Sequence, residues 1–176
     1  MPTAESNAKV IIRTGQLDDA KQLLNIQREI VAENKYMISL PEEFDKTLDQ
    51  QRNLIKGVLE NQRETIIVAE VNKAVVGWLE FQSPGPKRMS HTGSLAMMIQ
   101  AEYRGAGIGK MLLEKLLKWA KMNVLIEKVS LGVFSTNKRA ISLYKKMGFK
   151  EEGRKTKEIK LDDNEYVDDI LMYKWV

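Results

Sequence analysis

A glycine-rich turn between a predicted strand and a predicted helix constrains this chain more than any other feature of its sequence. Residues 92–99 read as a strand, glycines alternate along residues 105–109, and an apolar stripe then continues at helical spacing to about Met122. The backbone N–H groups of such a turn point inward, and the helix N-terminus adds partial positive charge. Arg104 and Lys110 place a full positive charge at each end of the turn. The turn is therefore predicted to cradle a phosphate group.

Two familiar phosphate motifs do not fit this turn. A P-loop requires Ser or Thr after its Gly-Lys pair, but Met111 follows Lys110, and Arg104 stands where its first glycine belongs. The dinucleotide fingerprint Gly-x-Gly-x-x-Gly has Lys110 at its third glycine position. The pattern Arg/Gln-x-x-Gly-x-Gly does match residues 104–109.

A second motif follows another predicted strand, at residues 137–149. It reads Asn-x-x-Ala-x-x-Leu-Tyr-x-x-x-Gly-Phe, from Asn137 to Phe149. The motif at residues 104–109 lies between a predicted strand and a predicted helix, and the motif at residues 137–149 follows it after another strand. With both motifs in this order, the chain resembles the GNAT superfamily of acetyltransferases over about residues 10–175. The resemblance implies an acetyl-CoA-dependent N-acetyltransferase that moves the acetyl group directly to a primary amine through a ternary complex.

The resemblance also implies which residues contact acetyl-CoA. The glycine turn would bind its pyrophosphate, and a bulge in the preceding strand would expose backbone groups to the pantetheine arm. The cofactor-binding residues expected on this basis are Met97, Met98, Ile99, Arg104, Gly105, Ala106, Gly107, Ile108, Gly109, Lys110 and Asn137. For the methionine side chains core packing is the alternative, and Asn137 is also well suited to cap its helix.

Tyr144 is the expected catalytic residue. By resemblance it is a general acid, because a phenol can donate a proton to a departing thiolate as negative charge develops on sulfur. Simple packing on the inner face of its helix is the alternative.

The general base is not identified by the resemblance. Some relatives that acetylate N-terminal amines carry a glutamate on the strand before the Asn-containing helix, where this chain has Gly132. Glu33 and Glu80 are substitutes, with surface acids as the alternative. A water chain, or an amine already partly neutral at working pH, can also replace a base. Acceptor contacts are expected from residues 33–43 and 162–166, and the acids Asp162, Asp163, Glu165, Asp168 and Asp169 either attract a cationic acceptor or form a solvated turn.

The periodicity along the chain predicts an α/β fold. Its order is β-α-α-β-β-β-α-β-α-β-β, a mixed sheet with helices on its faces, with the second helix at about residues 42–61. The resemblance implies the GNAT fold, in which this central sheet is mostly antiparallel and flanked by helices. Residues 1–9 are predicted to be a disordered or frayed tail, and residues 10–176 a single domain.

Composition narrows the function further. The chain has no cysteine and one histidine, so a cysteinyl intermediate is excluded and no metal site is expected. The sequence indicates neither a membrane span nor a signal peptide, and we expect a cytoplasmic protein. Interleaved charges argue against nucleic-acid binding. The sequence does not fix the oligomeric state, although many GNAT relatives are dimers and the resemblance therefore allows a homodimer. A silent CoA-binding sensor or scaffold module with the same fold is the alternative function.

Overall fold

The computed structural model describes residues 9–176, and within them seven strands form one sheet with helices on both faces. Most of the predicted N-terminal tail, residues 1–8, lies outside the described residues. The strands are β1 (Val10–Thr14), β2 (Thr65–Val71), β3 (Ala74–Gln82), β4 (Thr92–Ile99), β5 (Lys128–Phe134), β6 (Lys150–Asp162) and β7 (Glu165–Trp175). The helices are α1 (Ala20–Ala32), α2 (Leu48–Glu60), α3 (Ile108–Met122) and α4 (Lys138–Lys146).

The sheet has the order β1-β2-β3-β4-β5-β7-β6. Every neighbouring pair is antiparallel except β4 and β5, which are parallel. The β2–β3 hairpin turns through Asn72 and Lys73, which both have positive φ angles. The predicted element order and the mixed, mostly antiparallel sheet are confirmed.

The start of α2 was predicted wrongly, at about residue 42. Pro41–Glu43 form a single 3-10 turn, and the helix begins only after Thr47. There the N–H of Gln50 donates to Thr47 Oγ1 at 3.2 Å, while the N–H of Thr47 donates to Gln50 Oε1 at 2.8 Å. This reciprocal capping box satisfies two N–H groups that a helix N-terminus otherwise leaves free.

The central strands bury alternate side chains on opposite faces of the sheet. Ile66, Val68 and Trp78 pack toward α1 and α2, whereas Ile67 and Leu79 pack toward α3. This alternation follows from the period of two along a strand. Helices cover both faces of these strands, and a cavity opens within the sheet where β4 and β5 diverge.

Candidate active site

The site is built on a split between two neighbouring strands. β4 pairs with β5 only where residues 92–94 face residues 128–130, and beyond Ser94 the two strands separate. Their facing edges therefore keep backbone groups that the sheet does not use. Neither ladder made by β4 contains a register shift, so the predicted bulge is absent and the split arises from lost pairing alone. The split opens into a cavity of about 990 Å³.

The glycine turn forms one end of this cavity. Gly105 and Gly107 both adopt φ near +83°, a conformation that side chains with a Cβ rarely adopt. The N–H of Arg104 donates to Ala101 O, and the next bonded N–H, that of Met111, donates to Gly107 O at 3.1 Å. Within residues 9–176 the intervening N–H groups, 105–110, have no acceptor. A Cβ added to Gly107 would meet no atom within 4 Å, so the turn presents open space lined by free donors.

The Arg104 side chain points away from this turn. Its Nη1 and Nη2 donate to the two carboxylate oxygens of Glu33 at 2.8 and 2.6 Å, and its Nε donates to Ile99 O at 2.9 Å. The hydrogen bond from Arg104 lowers the pKa of Glu33. Arg104 thus ties the segment after α1 to the end of β4. Its charge is paired, as is that of Lys110, whose Nζ lies 3.6 Å from Glu114.

Arg139 supplies a charge beside the turn that the sequence reasoning missed. Its Nη2 lies 3.3 Å from the point where a Cβ of Gly105 would stand, and it lines the cavity. None of the salt bridges formed by residues 9–176 includes it. The only sequence signal was its place directly after Lys138 in the second motif, at a position where the motif accepts any residue.

The β4 side chains and Asn137 have the structural roles named as alternatives. Met98 is buried against α1, while Met97 and Ile99 pack on the α3 side. Met97 and Ile99 are only half-buried and, like Met98, also line the cavity. Asn137 Oδ1 accepts the N–H of Ala140 at 3.2 Å and so caps α4. Asn137 also lines the cavity.

Tyr144 lies on the α4 wall of the cavity. Its side chain is 7% exposed, and its ring packs edge-on against Phe149 with centroids 5.8 Å apart. Burial raises the pKa of Tyr144 to about 12, because the charged phenolate is poorly solvated there. Tyr144 therefore packs on the inner face of its helix, which was the alternative to a catalytic role, and it also presents a protonated hydroxyl group at the cavity.

The two substitute bases are not free surface acids. Glu80 is largely buried on β3, burial raises its pKa, and its Oε2 has no hydrogen-bond partner. Glu80 does not line the cavity. Glu33 lines the cavity but is paired with Arg104.

Some of the residues expected to contact or attract the acceptor contribute to the cavity lining. Residues 36–39, in the segment after α1, line the cavity. Of the five acids predicted near the β6–β7 turn, Asp169 alone lines it, beside Gly132. Asp168 instead forms a salt bridge with Arg154 at 2.9 Å. This part of the cavity lining thus combines apolar side chains with two carboxylates, that of Glu33, which is paired with Arg104, and that of Asp169.

Within residues 9–176, no cluster of three or more His, Asp or Glu side chains is placed to hold a metal ion. In that same part of the chain, no helix has the length and apolar character needed to cross a membrane.

Comparison with known proteins gives consistent matches. The profile of the Acetyltransferase (GNAT) family matches residues 22–149. An N-alpha-acetyltransferase of Sulfurisphaera tokodaii is 32% identical over 158 residues, 84% of each chain. The structure of a GNAT-family acetyltransferase from Streptococcus pneumoniae superposes on this chain with a TM-score of 0.90 at 23% sequence identity. The match covers 96% of this chain and 100% of the Streptococcus pneumoniae chain. A phosphinothricin acetyltransferase from Sinorhizobium meliloti, solved in complex with acetyl-CoA, gives a TM-score of 0.82 at 18% identity, covering 95% of this chain and 88% of its own.

Proposed function

This chain belongs to the GNAT family of acetyltransferases, and we propose that it transfers the acetyl group of acetyl-CoA directly to a primary amine bound in the same cavity. The observation that carries the proposal is the glycine turn. Its N–H groups at residues 105–110 lack acceptors and open onto the cavity that also contains the Tyr144 hydroxyl group. Free anion donors and a protonated acid therefore share one cleft.

The residues present fit acetyl-CoA along its length. The turn and the α3 N-terminus would hold the pyrophosphate, with Arg139 adding a positive charge beside Gly105. The unpaired edges of β4 and β5 would hydrogen-bond the amides of the pantetheine arm, as an added strand does. When bound, acetyl-CoA supplies a thioester whose acetyl carbon is open to attack by an amine.

Tyr144 would act as the general acid. Because burial raises its pKa to about 12, the phenol stays protonated at neutral pH and keeps a proton available for the departing sulfur. The chain has no cysteine, so a cysteinyl intermediate cannot form, which agrees with direct transfer within a ternary complex. Holding both reactants in one cavity supplies much of the acceleration by proximity.

The acceptor would be an amine on a small molecule or at a protein N-terminus. The N-alpha-acetyltransferase name of the Sulfurisphaera tokodaii relative supports an α-amino group as one candidate. The carboxylate of Asp169 on the cavity wall supports a cationic acceptor, because an amine is mostly protonated at neutral pH.

A thiol-release assay tests the proposal. The protein is incubated with acetyl-CoA and a panel of amines that includes amino acids, polyamines and short peptides with free N-termini. We expect release of CoA that depends on one class of amine, with an equal amount of acetylated amine found by mass spectrometry. Tight CoA binding without amine-dependent release would refute the proposal and indicate a CoA-binding sensor or scaffold.

A further inference from the structure

We propose that Asp169 contacts the acceptor amine, binding it as a cation and accepting its proton before attack. This assignment rests on the proposed function and adds to it the group that prepares the nucleophile. It follows from three features of the β5–β7 pair: the absence of a side chain at Gly132, the lean of the Asp169 carboxylate into that space, and the lack of any partner for it.

The strand register places Asp169 beside Gly132. In the antiparallel ladder Gly132 faces Leu171 and Phe134 faces Asp169, so Gly132 and Asp169 are diagonal neighbours on one face of the sheet. Asp169 Oδ1 lies 3.0 Å from the point where a Cβ of Gly132 would stand. Any larger residue at position 132 would push the carboxylate aside. The glycine therefore gives the carboxylate its place on the cavity wall.

The carboxylate of the neighbouring acid Asp168 has a structural role on this strand, because both of its oxygens accept hydrogen bonds. Its Oδ2 accepts from Arg154 at 2.9 Å, and its Oδ1 accepts the N–H of Lys157 at 2.8 Å. The hydrogen bond from the Lys157 backbone is the main cause of the lowered pKa of Asp168. The Asp169 carboxylate, by contrast, enters none of the side-chain hydrogen bonds or salt bridges that the described residues form. Its charge is left for a ligand.

The surroundings of Asp169 leave room for a cationic ligand. Lys155 of β6 is its register partner, but the Lys155 ammonium lies 3.8 Å from Glu158. Across the cavity, Arg104 is committed to Glu33. Tyr144 of α4 and Tyr36 of the segment after α1 also line this space, and burial keeps the Tyr144 phenol protonated at neutral pH. Residues 132–134 of β5 contribute no titratable side chain.

The proton balance assigns separate tasks to the two walls. An ammonium group must lose a proton before its nitrogen can attack, and Asp169 accepts that proton and passes it to solvent. As the C–N bond forms and the C–S bond breaks, the sulfur takes the proton of the Tyr144 hydroxyl. Tyr144 regains a proton from the nitrogen, which ends as a neutral amide. One proton is released overall.

The test compares Asp169→Asn with Asp168→Asn, which makes the same chemical change one residue away on the opposite face of β7. At neutral pH, Asp169→Asn should lower kcat/KM for the amine about 100-fold, the usual size of a general-base contribution. Acetyl-CoA affinity, measured by calorimetry, should be unchanged. Asp168→Asn should stay within about twofold of the wild type in activity, because an exposed ion pair contributes little.

Comparing the Asp169→Asn defect for two amines of different pKa distinguishes a proton-accepting role of Asp169 from a structural role. The Asp169→Asn defect should be larger for an alkyl amine of pKa about 10.4 than for an α-amine of pKa about 8, and should shrink as pH approaches each value. Moving the carboxylate, with Gly132→Asp combined with Asp169→Gly, should recover about tenfold of the lost activity, since the two positions are neighbours.

An equal loss for both amines at every pH would overturn the assignment to Asp169, and so would an unchanged rate in Asp169→Asn. Either result, obtained with an active wild type, leaves the proposed acetyl transfer intact. A wild type without amine-dependent thiol release would overturn both proposals together.

Discussion

The two walls of the cavity are encoded in different ways. The wall proposed to hold acetyl-CoA comes from two short segments, residues 97–110 and 137–144, whose spacing is visible in the sequence. The wall proposed to hold the amine brings together Glu33, Gly132 and Asp169, which are far apart in the chain. The first wall depends on local backbone conformation, whereas the second depends on strand register. A motif therefore predicts the cofactor, and only the folded sheet indicates how the acceptor is handled.

The largest expected effect is on acetyl-CoA binding by the motif-encoded wall, which is the wall that residues 97–110 and 137–144 form. Gly107→Val should weaken acetyl-CoA binding by at least about 100-fold, because a β-branched residue would be strained at φ +83° and would fill the open anion nest. Calorimetry with acetyl-CoA measures this change. The matched control is Gly153→Val, at a β6 glycine where an added Cβ also meets no atom within 4 Å. Normal acetyl-CoA binding by a folded Gly107→Val variant would show that the turn is not the cradle.

The second effect separates chemistry from binding on that wall. Tyr144→Phe should lower kcat about 100-fold, since it removes the proposed general acid. The Kd for acetyl-CoA should change less than about twofold, because the ring still packs against Phe149. An assay of released CoA gives kcat, and calorimetry gives the Kd for acetyl-CoA. Tyr173→Phe on β7 is the control. A kcat equal to that of the wild type would contradict the acid role.

Wild-type activity should also show no loss from Tyr144 ionisation until pH approaches about 12, where burial has placed the pKa of its phenol. A pH profile of kcat at saturating amine measures this limit. A decline on the alkaline side near pH 10, abolished in Tyr144→Phe, would mean that the phenol ionises as an ordinary tyrosine does.

The smallest expected effect concerns the link between the two walls. Glu33→Gln breaks the bidentate pair with Arg104, and we expect a loss of about 1 kcal/mol in the free energy of unfolding at pH 7, since both side chains are partly exposed. The folded state lowers the pKa of Glu33 below its ordinary value of 4.5. The pair therefore stabilises the fold above that value, and its contribution disappears as pH falls through the lowered pKa.

Urea unfolding at neutral pH and at a pH below the lowered pKa of Glu33 measures the change. The wild type and Glu33→Gln should differ at neutral pH and converge in acid. A Glu42→Gln variant, whose carboxylate makes no salt bridge among the described residues, is the control. A difference that persists unchanged into acid would rule out the ion pair as its cause.

The sequence predicted the fold and the motif-encoded wall for a physical reason. Positive φ at Gly105 and Gly107 and the cap at Asn137 are local requirements that only a few residue types meet. Such requirements leave a pattern that can be read along the chain. The same locality explains why the predicted start of α2 was wrong, because the capping box at Thr47 was overlooked.

The other wall could not be predicted because its interactions are not local. Arg104 forms a salt bridge with Glu33, which lies 71 positions earlier in the chain. The space at Gly132 is filled by a carboxylate from β7 through a cross-strand register that the sequence does not specify. Glu80 sits among buried residues although its local sequence resembles that of an ordinary hairpin strand. Each of these outcomes depends on which strand lies beside which.

The most direct test of the two-wall account is a crystal structure with CoA and an amine acceptor bound together. We expect the pyrophosphate on the N–H groups of residues 105–110, the sulfur within hydrogen-bond distance of the Tyr144 hydroxyl group, and the amine nitrogen on the side of Asp169. A pyrophosphate bound away from the glycine turn, or an amine nitrogen without contact to Asp169 directly or through one water, would contradict it.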